Sequence, residues 1–210
     1  MKARKLTPEI LDSLAPDHPD AIRSRRDLRM INLLMGNFSW MGDRVKTGRW
    51  LELGAGDGGF AQDFLRKGVA YEALDLAPAP EGWDDSRVWH RCDLMEFFAS
   101  TPHKYDGICA NLFLHHFTDE QLAELGPRLA ASAERLVFSE PFRWGFFHSS
   151  SRILFPFVNS VTRHDMVVSI EAGFRGNELF RTLGLPADEW ECRVGWTILG
   201  AYRFEAWRRS

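Results

Sequence analysis

The stretch Trp50-Leu51-Glu52-Leu53-Gly54-Ala55-Gly56-Asp57-Gly58-Gly59-Phe60 reads as a buried strand that runs through a glycine turn into a helix. Glycines at 54, 56 and 58 tolerate positive φ and let a ligand approach the backbone, and the helix start near Gly59 presents N–H groups that have no partner within the helix. Such a turn suits a nucleotide-type cofactor. Gly54, Gly56 and Gly59 also satisfy G-x-G-x-x-G, and Asp75 closes the next apolar run about 20 residues further on, as a dinucleotide fingerprint requires. The glycines alone leave two cofactor classes open.

Outward from this turn, apolar runs near 50–54, 70–76, 87–91, 105–112 and 134–140 alternate with helical stretches near 59–67, 94–99 and 118–132. That order predicts a parallel sheet. The helix at 118–132 opens on Thr118-Asp119-Glu120-Gln121, a capping start with acids in its first turn. The tail differs: 189–194 and 201–207 are apolar and aromatic around a glycine-containing join, which predicts an antiparallel pair closing the sheet.

The whole string around the glycines resembles motif I of the class I S-adenosylmethionine-dependent methyltransferases, with Glu52 as the acid two positions before the first glycine. Tyr71-Glu72-Ala73-Leu74-Asp75-Leu76 resembles that family's second strand, whose terminal acid accepts hydrogen bonds from both ribose hydroxyls. Arg91-Cys92-Asp93-Leu94 resembles its third-strand exit, where an Asp side chain and the next N–H meet the adenine edge. The run from Tyr105 through Asn111-Leu112-Phe113-Leu114-His115-His116-Phe117 is similar to the fourth-strand motif of small-molecule methyltransferases. The resemblance implies S-adenosylmethionine as cofactor, S-adenosylhomocysteine as product, and a cofactor site built from Glu52, Gly54, Ala55, Gly56, Asp75, Leu76, Asp93, Leu94, Asn111 and Leu112. The fold expected is α/β: a Rossmann-like, mostly parallel seven-stranded sheet with helices on both faces and an antiparallel closing strand. It makes one domain over 1–210, with an N-terminal helical cap (1–48), a cofactor-binding core (49–140), a substrate lid (141–187) and a closing hairpin (188–210).

An ionised carboxylate only accepts hydrogen bonds, so Asp75 at a strand's carboxyl end suits a ribose diol. Each acid has a plainer alternative: Asp75 as a turn cap before Pro78, and Asp93 as the N-cap of the following helix. For a phenolic acceptor of pKa ~10, a histidine of unperturbed pKa ~6.5 can take the proton as the bond to methyl forms. His115 and His116 follow the fourth strand, with His115 preferred, and His164 is held in reserve. Either of the adjacent pair reads equally as a structural imidazole. The helical pattern at 21–36 is basic early and apolar late. Arg25, Arg26 or Arg29 could bind the methionine carboxylate, or the arginines could form a solvated face. The segment 141–183 carries Phe142, Trp144, Phe146, Phe147, Phe155, Phe157, Phe174 and Phe180, with Arg143, His148, Arg152, Arg163, His164 and Asp165 as polar groups, and reads as an apolar lid or as core.

A net charge of -3 provides no basic field for nucleic acid. The cysteines Cys92, Cys109 and Cys192 have neither zinc nor disulfide spacing, and with Glu140 and Asp165 as the available oxygen ligands no required metal is expected. No apolar run reaches the ~20 residues of a membrane span, and a cytoplasmic location is expected. The expected reaction is methyl transfer to a small aromatic or lipophilic acceptor, at a phenolic oxygen or an activated carbon. The alternatives are a nicotinamide-dependent oxidoreductase and a non-catalytic cofactor-binding module that meets a partner through the basic helix at 22–35.

Overall fold

The computed structural model describes residues 3–63, 65, 68–100 and 104–209. Strands β1 (Arg49–Leu53), β2 (Ala70–Asp75), β3 (Val88–Arg91), β4 (Gly107–Asn111), β5 (Arg135–Pro141), β6 (Trp190–Trp196) and β7 (Ala201–Arg208) form one sheet in the order β3-β2-β1-β4-β5-β7-β6. Neighbours from β3 to β5 are parallel, and β7 runs against both β5 and β6. The order reverses between β1 and β4. In open α/β sheets that point, at the carboxyl ends of the strands, is where ligands bind.

The helices are α1 (Ile10–Ser13), α2 (Pro19–Met35), α3 (Asn37–Gly42), α4 (Gly59–Asp63), α5 (Leu94–Ser100), α6 (Asp119–Ser132), α7 (Gly145–Ser150), α8 (Ser160–Ala172) and α9 (Glu178–Thr182), with short 3-10 helices at Leu114–His116 and Ser151–Phe157. The helix expected at 59–67 is present as α4, and residues 64, 66 and 67 lie outside the described residues. The helix expected at 21–36 begins earlier, because Pro19 sits at its start and His18 caps it, and it ends where Gly36 takes φ +64°. The capping box of α6 forms as the sequence predicts: Gln121 N–H donates to Thr118 Oγ1, and Thr118 N–H donates to the Gln121 side chain.

Alternation along the strands sorts the core onto two faces. Leu51, Leu53, Ile108, Leu136 and Phe138 meet Leu122, Leu125 and Leu129 of α6, while Trp50, Tyr71, Cys109 and Val137 meet Met41 of α3 and Phe60 of α4. Gly107 is opposite Trp50, and a Cβ there would lie 2.4 Å from the indole, so the β1–β4 pair closes only over glycine. On the second face Glu52 is buried and accepts the Tyr71 hydroxyl hydrogen bond. Burial pushes its carboxyl up to about 8; the Tyr71 hydrogen bond works against this, and the charges of Asp75 and Asp57 add to it.

Two outcomes follow from this packing. Gly126 in α6 has no room for a methyl group: a Cβ would lie 1.7 Å from the Leu183 carbonyl oxygen, in the turn after α9. Helix propensity alone would credit Gly126→Ala with about 1 kcal/mol, but the backbone clash outweighs it, and the variant should lose about 2 kcal/mol in urea unfolding. For Glu52, the folded state holds a proton up to about pH 8 while the unfolded carboxyl releases it near 4.5. This group therefore makes stability fall as pH rises through that window. Glu52→Gln should flatten the decline, read as a smaller difference between urea midpoints at about pH 5 and about pH 8 than the parent protein shows.

Candidate functional site

The three glycines that follow β1 all have positive φ, at 63°, 58° and 71° for Gly54, Gly56 and Gly58, yet they serve different contacts. A Cβ at Gly54 would collide with the Phe113 ring at 2.1 Å, and one at Gly58 with Trp83 at 2.7 Å. Gly56 faces open space. Gly54 and Ala55 donate to the Leu74 carbonyl, at 2.9 and 3.2 Å, which ties the turn to β2. Asp75 bridges both elements: Oδ2 accepts from Gly56 N–H at 2.8 Å, and Oδ1 from Ala77 N–H at 2.8 Å. The plainer reading of Asp75 as a turn cap is thus present, on the same carboxylate that meets the glycine turn. Asp57 accepts from Gly59 N–H, and its other oxygen lies 2.6 Å from Arg29 Nε. Of the three arginines considered in α2, Arg29 is the one bonded to this turn, while Arg25 donates to the Pro16 carbonyl.

Asp93 at the end of β3 caps α5, accepting from Met95 and Glu96 N–H at 2.7 and 3.2 Å. Leu94 is buried beneath it and Leu76 is exposed. At the end of β4, Asn111 donates to Asn32 of α2 at 3.0 Å, and its amide oxygen is buried with no hydrogen-bond partner. Leu112 has φ 52°, a left-handed conformation that costs a non-glycine residue about 1–3 kcal/mol. The set fits a nucleoside that carries a free amino acid: an open glycine for close approach, a carboxylate for a diol, and an orphaned amide oxygen for an ammonium group. Glu52 reaches this site only through the turn above it, since its own carboxyl is enclosed with Tyr71.

The histidines after β4 are held differently from one another. Glu140, fully buried at the end of β5, accepts from Phe113 N–H at 3.1 Å and from Leu114 N–H at 2.8 Å, and its second oxygen lies 2.8 Å from His115 Nδ1. The other nitrogen of His115 lies 3.3 Å from Glu9 Oε1, and His116 Nε2 lies 3.3 Å from the same oxygen. Burial works against the charge on His115, but the bonds to Glu140 and Glu9 raise its pKa to about 9. His115, the preferred base in the sequence, is therefore buried with both ring nitrogens engaged, whereas His116 is exposed. His164 lies on α8 with Nδ1 2.9 Å from Asp165, whose carboxylate also accepts the Ile10 and Leu11 N–H groups and so docks α1 on α8. Glu140 and Asp165, which the sequence offered as oxygen ligands, are thus occupied with backbone and histidine partners.

Sequence reading missed Glu9, Arg4 and Asn32. Arg4 donates to the carbonyls of His115, Phe117 and Ala172, pinning the N-terminal segment across the β4 exit. No local pattern marks these contacts, which join residues 79 to 168 apart in the chain. The aromatic and polar residues of the expected lid divide. Phe147 and Phe174 are core, and Arg143 is buried against the Gly173 carbonyl and Glu178. Trp144, Phe146 and Phe157 are exposed. Phe142 stacks on Trp196 at 5.5 Å, and Trp144 meets the same ring edge-on at 6.0 Å. The side chains of His148 and Arg152 lie outside the described residues.

A family model described as a methyltransferase domain matches residues 22–159. A search of curated proteins finds no match. Among solved structures, the plantazolicin methyltransferase BamL, in complex with a triazolic desmethylPZN analog and SAH, is similar at TM-score 0.68, with 9% identity over 95% of this chain and 92% of that one. The pyocyanin biosynthetic protein PhzM is similar at TM-score 0.65, with 16% identity over 96% of this chain and 62% of that one. Magnesium protoporphyrin IX methyltransferase (ChlM) from Synechocystis PCC 6803 with bound SAH is similar at TM-score 0.52, with 16% identity over 87% and 83%. No helix among the described residues is long and apolar enough to cross a membrane. The nicotinamide reading of the glycines gives way here, because the match runs from α2 through β5 and takes in all four motifs. The chain belongs to the methyltransferase-domain family and is a class I S-adenosylmethionine-dependent methyltransferase.

Proposed function

We propose that the protein methylates a small aromatic or lipophilic acceptor at a phenolic oxygen or an activated carbon. The observation that carries this reading is the carboxyl edge of the sheet. There the open Gly56 turn and Asp75 lie on the same edge as the exposed aromatic cluster of Trp144, Phe146 and Trp196, and as a cavity bordered by His116. An apolar wall with a few placed polar groups is the usual lining of a small-molecule site.

When bound, S-adenosylmethionine supplies a sulfonium methyl group as electrophile. The residues of the chain then have three tasks. Asp75, now bonded to Gly56 N–H, would hold the ribose hydroxyls, and Asn111 would offer its unpartnered amide oxygen to the amino group of the amino-acid end. Arg29, already at the turn through Asp57, would take the carboxylate of that end. The acceptor proton leaves to the Glu9–His115–His116 cluster, in which His116 is the exposed member and His115 is held in place by Glu140. The acceptor oxygen or carbon would gain the methyl group as the sulfur–methyl bond broke, leaving S-adenosylhomocysteine as product. Alignment of donor and acceptor contributes the largest share, since good positioning is worth ~7–11 kcal/mol.

Calorimetric titration with S-adenosylmethionine should give micromolar binding, and Asp75→Ala should weaken it by about tenfold or more, equivalent to about 1.4 kcal/mol. Unchanged affinity in that variant would remove Asp75 from the site. His116→Ala should lower turnover of a phenolic acceptor by about a hundredfold or more while cofactor affinity stays within about twofold, measured as initial rates of S-adenosylhomocysteine release. If the rate holds, the acceptor proton leaves by another route.

A further inference from the structure

Glu9, His115 and His116 bring one carboxylate oxygen and two imidazole nitrogens within 4.8 Å of one another, on a wall of a cavity of about 340 Å³. Both imidazole nitrogens lie 3.3 Å from Glu9 Oε1. A charge-assisted hydrogen bond would normally close to ~2.7–2.9 Å. Ligand atoms around a tetrahedral ion with bonds of ~2.0–2.1 Å are instead held ~3.3 Å apart.

The support behind these atoms has the same character. His115 directs Nδ1 to Glu140 at 2.8 Å, and Glu140 is fixed by the Phe113 and Leu114 N–H groups, so the second ring nitrogen, Nε2, is aimed at Glu9. A carboxylate behind a ligating imidazole sets its tautomer and ring orientation, and such partners are the rule in metal sites. Glu140 is fully buried and Glu9 is partly exposed beside it, so two carboxylates flank the His115 ring from opposite sides. On the open side, Asp12 and Ser169 line the cavity next to His116, and Ser169 Oγ donates to Glu9 Oε1, the same oxygen that faces both imidazoles. Two imidazoles with a single carboxylate are a poor set for magnesium or calcium, which take oxygen ligands, and a good one for zinc.

We propose that Glu9, His115 and His116 form a divalent-cation site of the zinc class, with the fourth coordination position open to the cavity. This departs from the sequence expectation of no metal, which was drawn without Glu9. Three protein ligands and an open position are the pattern of sites in which the ion meets water or a substrate. The open position suits an oxygen of the acceptor; with the ion bound, His116 would serve as its ligand, and the ion, by lowering the acceptor's pKa, would replace the imidazole in releasing the proton to water in the cavity. That last role rests on the acceptor reading above; the metal site itself does not.

The test uses the full chain, stripped with a chelator and titrated with zinc alone against a chromophoric competitor, with cobalt substitution as a second readout. One equivalent should bind at micromolar affinity or tighter, and cobalt should give the strong visible absorption of a tetrahedral centre. Glu9→Gln and His116→Ala should each weaken zinc binding by about a hundredfold, while His18→Ala, at the distant start of α2, should leave it unchanged. His116 is exposed, so its variant should keep the parent melting curve by circular dichroism. Failure to bind one equivalent, or full affinity in both Glu9→Gln and His116→Ala, would overturn the site. S-adenosylmethionine titrated into the same stripped samples reports separately on the methyltransferase reading, which stands if it binds with or without zinc.

Discussion

Glu140 is the group on which the rest of the site depends. A carboxylate with no exposure at all is costly unless its oxygens are saturated, and here Phe113, Leu114 and His115 converge on it from the exit of β4. The chain leaves β4 through Leu112 in a left-handed conformation that the following bonds compensate, with Leu112 N–H donating to the Ser139 carbonyl on β5. The effect is to fold the segment after β4 back over β5. Phe113 is thereby laid across Gly54, and the two histidines are turned toward the N-terminal segment.

Two layers from the first 42 residues complete what the sheet begins. α2 reaches the glycine turn through Arg29 and Asp57 and reaches β4 through Asn32 and Asn111. Residues 4–11 cover the other side, where Arg4 ties the β4 exit to α8, Asp165 holds the start of α1, and Glu9 faces the histidines. The β4 exit lies between them, so the glycine turn and the histidine cluster share one short piece of backbone. Arg203 of β7 joins this arrangement by donating to the Met35 and Gly36 carbonyls at the joint between α2 and α3.

Much of the sheet was legible because its signals are local. The glycine turn, the buried runs of β1 and β2, and the α6 capping box each depend on residues a few positions apart. Asp75 and Asp93 were placed correctly at strand ends, but their present partners, Gly56 and Ala77 for one and Met95 and Glu96 for the other, are those of ordinary caps. The histidine pair was legible as a pair and opaque in its parts. Adjacent residues carry the same label in a sequence, and only the packing of Glu140 and Glu9 separates the buried ring from the exposed one.

The sequence by itself determined the alternating order of strands and helices, the glycine turn and the family, because period, glycine placement and capping act over a few residues at a time. Tertiary structure alone decided which aromatics of 141–183 are core and which face solvent, which arginine of α2 reaches the turn, and that Glu9 stands beside His115 and His116. These outcomes depend on contacts between segments as many as 168 residues apart, whose side chains are brought together by the closing of the sheet and the burial of Glu140.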